Sequence, residues 1–381
     1  MKKTLLIFCF MFFCLSIFFV SNAMSDPQNQ SYEEAKIISV SKETSKENPN
    51  IEILKTKIRL LTGIFKDKEF ITNYIHQINS PYDLKLSPGE NVIVYQQITP
   101  NKEPTFFISD IARCNKYPWL LLAFFLLIFI ASGLRGIYLM LGLMVFIFFL
   151  WLWLIPALIT NLNILFITIV VLFIGVIIQT VLMCGFSQKA LAAIIGTLSG
   201  IIIASICSYY LNSFLNVTGI INEEGLFLKD INLNINFTDL LSSAMLIGST
   251  GAAIKLSTSI VSTAQQYKML FPTSGWKEIF SSSFNSGKEN LPELLQTLYF
   301  AYIGCYLPLI LLVSIQGPTL SWFRVFSLEV VATEIARSFV AIIALFVTLP
   351  ITSFLISRFL SSNILLNLFL KTIGKILIIK R

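Results

Sequence analysis

Seven runs of apolar residues, each near the length that crosses a bilayer core, succeed one another at about 118 to 134, 137 to 159, 164 to 184, 190 to 211, 240 to 260, 294 to 315 and 331 to 356. Lipid offers no hydrogen-bond partners, so a chain crossing it in such runs must satisfy its backbone internally as helices. The composition agrees: 55% of residues are hydrophobic and only 13% charged, with a mean hydropathy of +0.76. The expected fold is mostly α, a seven-span transmembrane bundle over 118–356. The formal charge of +7 is scattered between the spans rather than gathered with aromatics on one soluble face, which excludes a nucleic-acid footprint.

The remaining segments divide around that bundle. Lys2 and Lys3 precede an apolar run, and Ser21-Asn22-Ala23 supplies small residues for cleavage, so 1–23 reads as a signal peptide, with an uncleaved anchor helix as the alternative. Residues 34–113 carry five β-rich runs, at 35–42, 51–61, 68–75, 91–98 and 105–112, separated by turn signals such as Pro88-Gly89. Five short strands predict a small extracytoplasmic β-barrel of the OB or SH3 kind, either a binding module or a rigid cap. Positive charge concentrates in the loops opposite that domain and in the basic amphipathic tail 357–381, with Lys371, Lys375, Lys380 and Arg381. The expectation is a bacterial inner (plasma) membrane protein, multi-pass, with the β-domain outside and the C-terminus cytoplasmic. The stretch from Trp276 to Phe284 has helical spacing and reads as a short interfacial helix.

Small and ionisable residues inside the spans select the candidate sites. Gly196, Gly200, Ala204 and Ser208 recur every four positions on span four, a ridge for close helix approach. On span five Gly248, Ala252, Lys255, Ser259 and Ser262 form one stripe, read as facing protein rather than lipid, with Gly251 beside it and Gly304 on span six as further packing glycines. Lys255 either snorkels to the nearer surface, some 7 Å away at 1.5 Å per residue, or lines a hydrated cavity. Glu334 and Arg337 share a face of span seven at i, i+3, as a local pair or as part of a transport path, at a depth that keeps them from Lys255. Six cysteines set no disulfide framework, and the lone histidine, His76, supports neither a zinc cluster nor a triad. No P-loop, HExxH or GxSxG appears, so an enzyme, a metal and a cofactor are not expected.

Five stretches, "LKLSPGENVIVY" (84–95), "SQKALAAIIGTLSGIIIA" (187–204), "GSTGAAIKLSTSIVS" (248–262), "SGKENLPELLQTLYFAYIG" (286–304) and "ATEIARSFVAIIALFVTLPITS" (332–353), resemble in their order the YibE/F family of bacterial multi-pass membrane proteins. The resemblance covers nearly all of the chain after the leader and implies this same architecture. Its span-five pattern resembles GAxGAxxDxxxSIxS, and this chain answers the family carboxylate with Lys255. The motif before span six resembles GTMxNTLxLAYxG, matched at Thr297, Ala301, Tyr302 and Gly304, while Pro292, Glu293, Leu294 and Gln296 depart from it; Pro292 there suits a helix start. Two functions follow. The first is a permease for a small solute or ion, an anion given the two cations, with Lys255, Gln296, Tyr302, Glu334 and Arg337 along its path. The second is a non-transporting membrane component whose β-domain recruits an envelope protein partner. The oligomeric state is open.

Overall fold

The computed structural model describes residues 32–44, 51–77, 84–97, 104–156, 162–221, 223–230, 235–316 and 321–361. The expected signal peptide 1–23 and the expected tail beyond residue 361 lie outside the described residues. The described residues divide into two compact units, one up to Gly133 and one from Leu134 on.

Five strands, β1 (Tyr32–Thr44), β2 (Ile51–Leu60), β3 (Glu69–Gln77), β4 (Asn91–Gln97) and β5 (Thr105–Ile111), make one antiparallel sheet in the order β3-β2-β1-β4-β5. Alternation decides its inner face. On β4, Val92, Val94 and Gln96 are buried, and they join Ala35, Ile37, Ile58, Leu60, Phe106 and Ile108. Register shifts between Ile37 and Ser39 and between Ile93 and Val94 bend the strands. The sheet therefore curls until β3 and β5 approach, where Thr72 Oγ1 donates to the Phe106 carbonyl at 2.6 Å and the Phe70 and Phe106 rings lie 4.6 Å apart. All five expected strands are present, as a curled antiparallel sheet.

The helices are α1 (Tyr117–Phe149), α2 (Ile164–Cys184), α3 (Gln188–Phe214), α4 (Glu223–Asp230), α5 (Phe237–Leu270), α6 (Trp276–Cys305), α7 (Leu307–Gln316), α8 (Trp322–Phe326) and α9 (Glu329–Ser361). At Gly133 α1 leaves helical geometry with φ 60°, a conformation a Cβ would disfavour, so its two halves act as separate apolar rods. Side-chain oxygens start several helices: Asn163 accepts from the Phe166 amide at 3.0 Å, and Asn236 accepts from the Thr238 and Asp239 amides at 3.2 and 3.3 Å. Helices α3, α5 and α9 pack together at the centre, with α2 against α3 and α5 and with α6 against α5 and α9.

Among lipid tails apolar contact gives little preference for protein over solvent, so close packing and interhelical hydrogen bonds hold such a bundle. Gly196 and Gly200 face Thr352, Thr348 and the Ala344 carbonyl of α9, which leaves no room for side chains on that ridge. Polar ties cross the other seams: Thr197 Oγ1 to Ser257 Oγ at 2.8 Å, Asn212 Nδ2 to Ser242 Oγ at 2.8 Å, and Asn290 Nδ2 to Ser259 Oγ at 2.9 Å.

Among the described residues, six helical segments are long and apolar enough to cross a membrane: Cys114–Leu134, Gly136–Leu154, Ile164–Cys184, Gln188–Phe214, Phe237–Leu270 and Glu329–Ser361. The expected sixth run, 294 to 315, is not one rod. It is shared between the end of α6 and the ten-residue α7, with a break at Tyr306. Pro308 explains the break, since it has no amide to donate to Gly304 and restricts Leu307. Pro292, conversely, starts no helix. It lies inside α6, which absorbs the expected interfacial helix from Trp276 and runs unbroken to Cys305. A continuous buried edge, Ile279, Ser283, Gly287 and Leu294, holds α6 straight through the missing bond.

Candidate solute-contact cleft

Where α9 begins fixes where its charges lie. The Glu329 carboxylate, in the first turn, accepts from the Thr218 amide at 2.6 Å, the Thr218 hydroxyl at 2.8 Å and the Gly219 amide at 3.0 Å, tying the end of α3 to the start of α9. Glu334 follows five residues on, about 7.5 Å along the axis at 1.5 Å per residue.

Glu334 and Arg337 form an ion pair at 3.3 Å, with side chains 18% and 19% exposed. The Arg337 guanidinium lies 5.7 Å from the Tyr302 ring centroid of α6, within cation–π range. Glu334 and Tyr302 border a cleft of about 450 Å³ between α6, α7 and α9, lined also by Tyr299, Tyr306 and Ser338 and otherwise by apolar side chains, with Arg337 behind Glu334. Arg337 Nε and the Tyr302 hydroxyl are shielded from water and make no hydrogen bond among the described residues, and the buried Glu334 carboxylate has the Tyr306 hydroxyl as its one neighbouring donor besides Arg337. An ion pair with donors beside it still unspent is equipped to take a polar guest.

The expected path residues divide into two groups. Tyr302 and Glu334 line the cleft, and Arg337 joins them through its ion pair and ring contact. Lys255 and Gln296 do not reach it; both side chains are exposed on the outside of α5 and α6. Along α5 the level of Tyr302 is marked by Gly248, whose added Cβ would lie 3.5 Å from the Tyr302 hydroxyl. Lys255 is seven residues further, about 10 Å away.

The span-five stripe divides: Ala252 and Ser259 are half-buried, with Ser259 bonded to Asn290 of α6, and the rest is outside. Gly248, Gly251, Lys255 and Ser262 are exposed, whereas Ser249, Ala253, Leu256, Ile260 and Ala264 are buried. The neighbours α3 and α9 take the opposite, equally small-residue side. A Cβ on Gly251 or Gly304 would meet nothing within 4 Å, so neither closes a seam within one chain. Lys255 does not snorkel from near a helix end either, because α5 continues to Leu270, fifteen residues beyond it.

A second hollow of about 410 Å³, lined by Tyr209, Asn212, Asn216, Thr238, Asp239 and Ser242, opens between α3 and α5. Neither it nor the Glu329 tie was expected from the sequence. An acid just ahead of an apolar run is the signal that marks Glu329 as a helix-start residue. Nothing local in the sequence pairs Asn212 with Ser242, thirty positions apart. No group of three or more His, Cys, Asp or Glu side chains among the described residues is arranged to hold a metal.

The family description that matches this chain is YibE/F-like protein, over residues 120–362. No curated protein and no solved structure matches it. The matched segment takes in all but the first residues of the bundle, including the three cleft-forming helices and the exposed lysine, and on that extent the chain belongs to the YibE/F-like family.

Proposed function

We propose that this protein is a permease that passes a small solute or ion through its helix bundle, with the Glu334–Arg337 pair and Tyr302 as the guest's contacts. One observation carries the reading: an ion pair on one of the candidate spans whose carboxylate lines a cleft of about 450 Å³, with the Tyr302 hydroxyl and Arg337 Nε beside it unspent. Ionisable groups in lipid-spanning helices are costly and concentrate where substrates or ions pass. With Lys255 away from the cleft, the guest meets one cation and one carboxylate, which favours a zwitterion or a dipolar solute over a simple anion. In this reading the protein sits in the bacterial inner membrane with its β-domain outside. The test is uptake of radiolabelled glycine, alanine, chloride and inorganic phosphate, and of protons by an internal dye, into proteoliposomes. The wild type moves at least one of them, and Glu334→Gln and Arg337→Gln each abolish that flux. Absence of flux for all of them, with protein that remains folded, overturns the reading.

One observation favours the second reading, a component whose β-domain recruits an envelope partner. Tyr32, Tyr95 and Phe107 form a ring row across β1, β4 and β5, with centroids 6.3 and 5.4 Å apart and Tyr32 57% exposed. We read the curled sheet as a small barrel of the OB kind, a fold whose outer strands often present aromatics to a partner. Specific capture of an envelope protein by the full chain, lost in Tyr32→Ser with Tyr95→Ser, would support it.

A further inference from the structure

The outward side of α5 and α6 is wrong for lipid. The apolar α2 and its turn to α3 mark one membrane boundary near Gln188. Thr197 lies nine residues inside that boundary and bonds Ser257, so Ser257 is about 14 Å deep and Lys255 about 16 Å, close to the middle of a ~30 Å hydrocarbon core. That depth exceeds the reach of a lysine side chain, so snorkelling leaves the ammonium in hydrocarbon.

Helix α6 runs antiparallel beside it. The Asn290–Ser259 and Thr263–Ser286 hydrogen bonds, at 2.9 and 3.1 Å, set residue 255 level with residue 294. Glu293 and Gln296 are therefore at nearly the same depth as Lys255, and both are exposed. Lys255 and Glu293 form no ion pair with each other or with any other described residue. Around them Gly248, Gly251, Thr297, Ala301 and Gly304 are exposed together with one large apolar side chain, Phe300. A cation and an anion at one depth, unpaired within a chain, are matched by a two-fold axis along the membrane normal, which keeps depth and exchanges the two helices. The glycines let backbones approach closely enough for the pairing.

We propose that the outward face of α5 and α6 is the interface between two copies of this chain, in which Lys255 of each copy meets Glu293 of the other. The two symmetry-related pairs give each mid-membrane charge a partner, and the arrangement holds whether or not the cleft transports.

The test starts from a full-length background with all six cysteines replaced. Lys255→Cys and Glu293→Cys are placed on separately tagged copies, co-expressed and oxidised in native membranes. A mixed-tag band at about twice the 42.9 kDa chain mass is expected, and none from Ile206→Cys, exposed on α3. In nanodiscs Lys255→Glu lowers the dimer-to-monomer equilibrium roughly tenfold, equal to about 1.4 kcal/mol, and Lys255→Glu with Glu293→Lys restores it. A monomeric wild type, equal cross-linking at Ile206→Cys, a different protein occupying this face, or a charge-swapped double variant no better than the single one overturns the proposal.

Discussion

Substituting Gly200 by alanine tests the central seam of the bundle. The added Cβ would lie 2.5 Å from the Ala344 carbonyl oxygen, where ordinary contact begins at 3.4 Å, so α3 and α9 must part by roughly 0.9 Å. The obstacle is backbone of α9, which no rotamer change can move aside. Overpacking of this kind costs ~1–3 kcal/mol, and the better helix propensity of alanine returns up to ~1 kcal/mol, for a net loss of about 1–2 kcal/mol. Ser199→Ala is the control, since Ser199 is half-buried and bonds the Ile195 carbonyl of its own helix, at 2.8 Å. In a detergent-solubilised sample followed by tryptophan fluorescence, Gly200→Ala should unfold about 2–8 °C below wild type, while Ser199→Ala stays within about 1 °C. Equal melting of Gly200→Ala and wild type would refute the claim that direct backbone approach holds these helices together.

Three further outcomes follow from particular contacts. Arg337→Leu, which strands the Glu334 carboxylate, should cost about 2–3 kcal/mol, discounted from the ~3–5 kcal/mol of a fully buried pair, and Arg337→Leu with Glu334→Leu should recover most of it by the same melting assay. Asn212→Leu loses its bonds to Ser242 and the Thr238 carbonyl and should lower the midpoint of a dodecyl sulfate titration by the equivalent of ~1 kcal/mol. In the β-sheet unit, Glu33 is 6% exposed with one oxygen unpartnered, and burial raises its carboxyl above the ordinary value despite an opposing hydrogen bond from the Ile64 amide. A raised acid leaves the fold most stable below the ordinary glutamate pKa and weakens it as pH rises through the folded value. Hydrogen exchange on the full chain should therefore show Glu33→Gln protecting β1 at pH 7 and giving no gain near pH 4; protection equal at both would count against it.

What could be read from residue order was whatever repeats locally. Alternation marked all five strands, and unbroken hydropathy marked the helices that become α1, α2, α3, α5 and α9. The four-residue ridge at Gly196 and Gly200 was legible because only one side of α3 carries it. Span five was not, since both of its sides are small or hydroxylated; which one packs depends on α3 and α9, far away in the chain. Helix α6 hid for a related reason. Lys288, Glu289 and Glu293 lower its hydropathy until it reads as a surface helix, although its buried edge docks on α5 and α9. Within the cleft, the i, i+3 spacing exposed the Glu334–Arg337 pair, but Tyr302 joins it only through the α6–α9 crossing, and Lys255 leaves it for want of rotation rather than of depth alone.

Water in the cleft is the condition on which the transport reading stands, and single-cysteine labelling measures it. Ser338→Cys and Tyr299→Cys line the hollow beside Glu334, and Phe346→Cys, on the same α9 but at a side chain 71% exposed on the bundle's outside, serves as the lipid-facing reference. In the cysteine-free background, a membrane-impermeant maleimide applied from each aqueous side should label positions 338 and 299 and leave 346 untouched. Labelling at 338 and 299 no faster than at 346 would contradict a hydrated path past the Glu334–Arg337 pair.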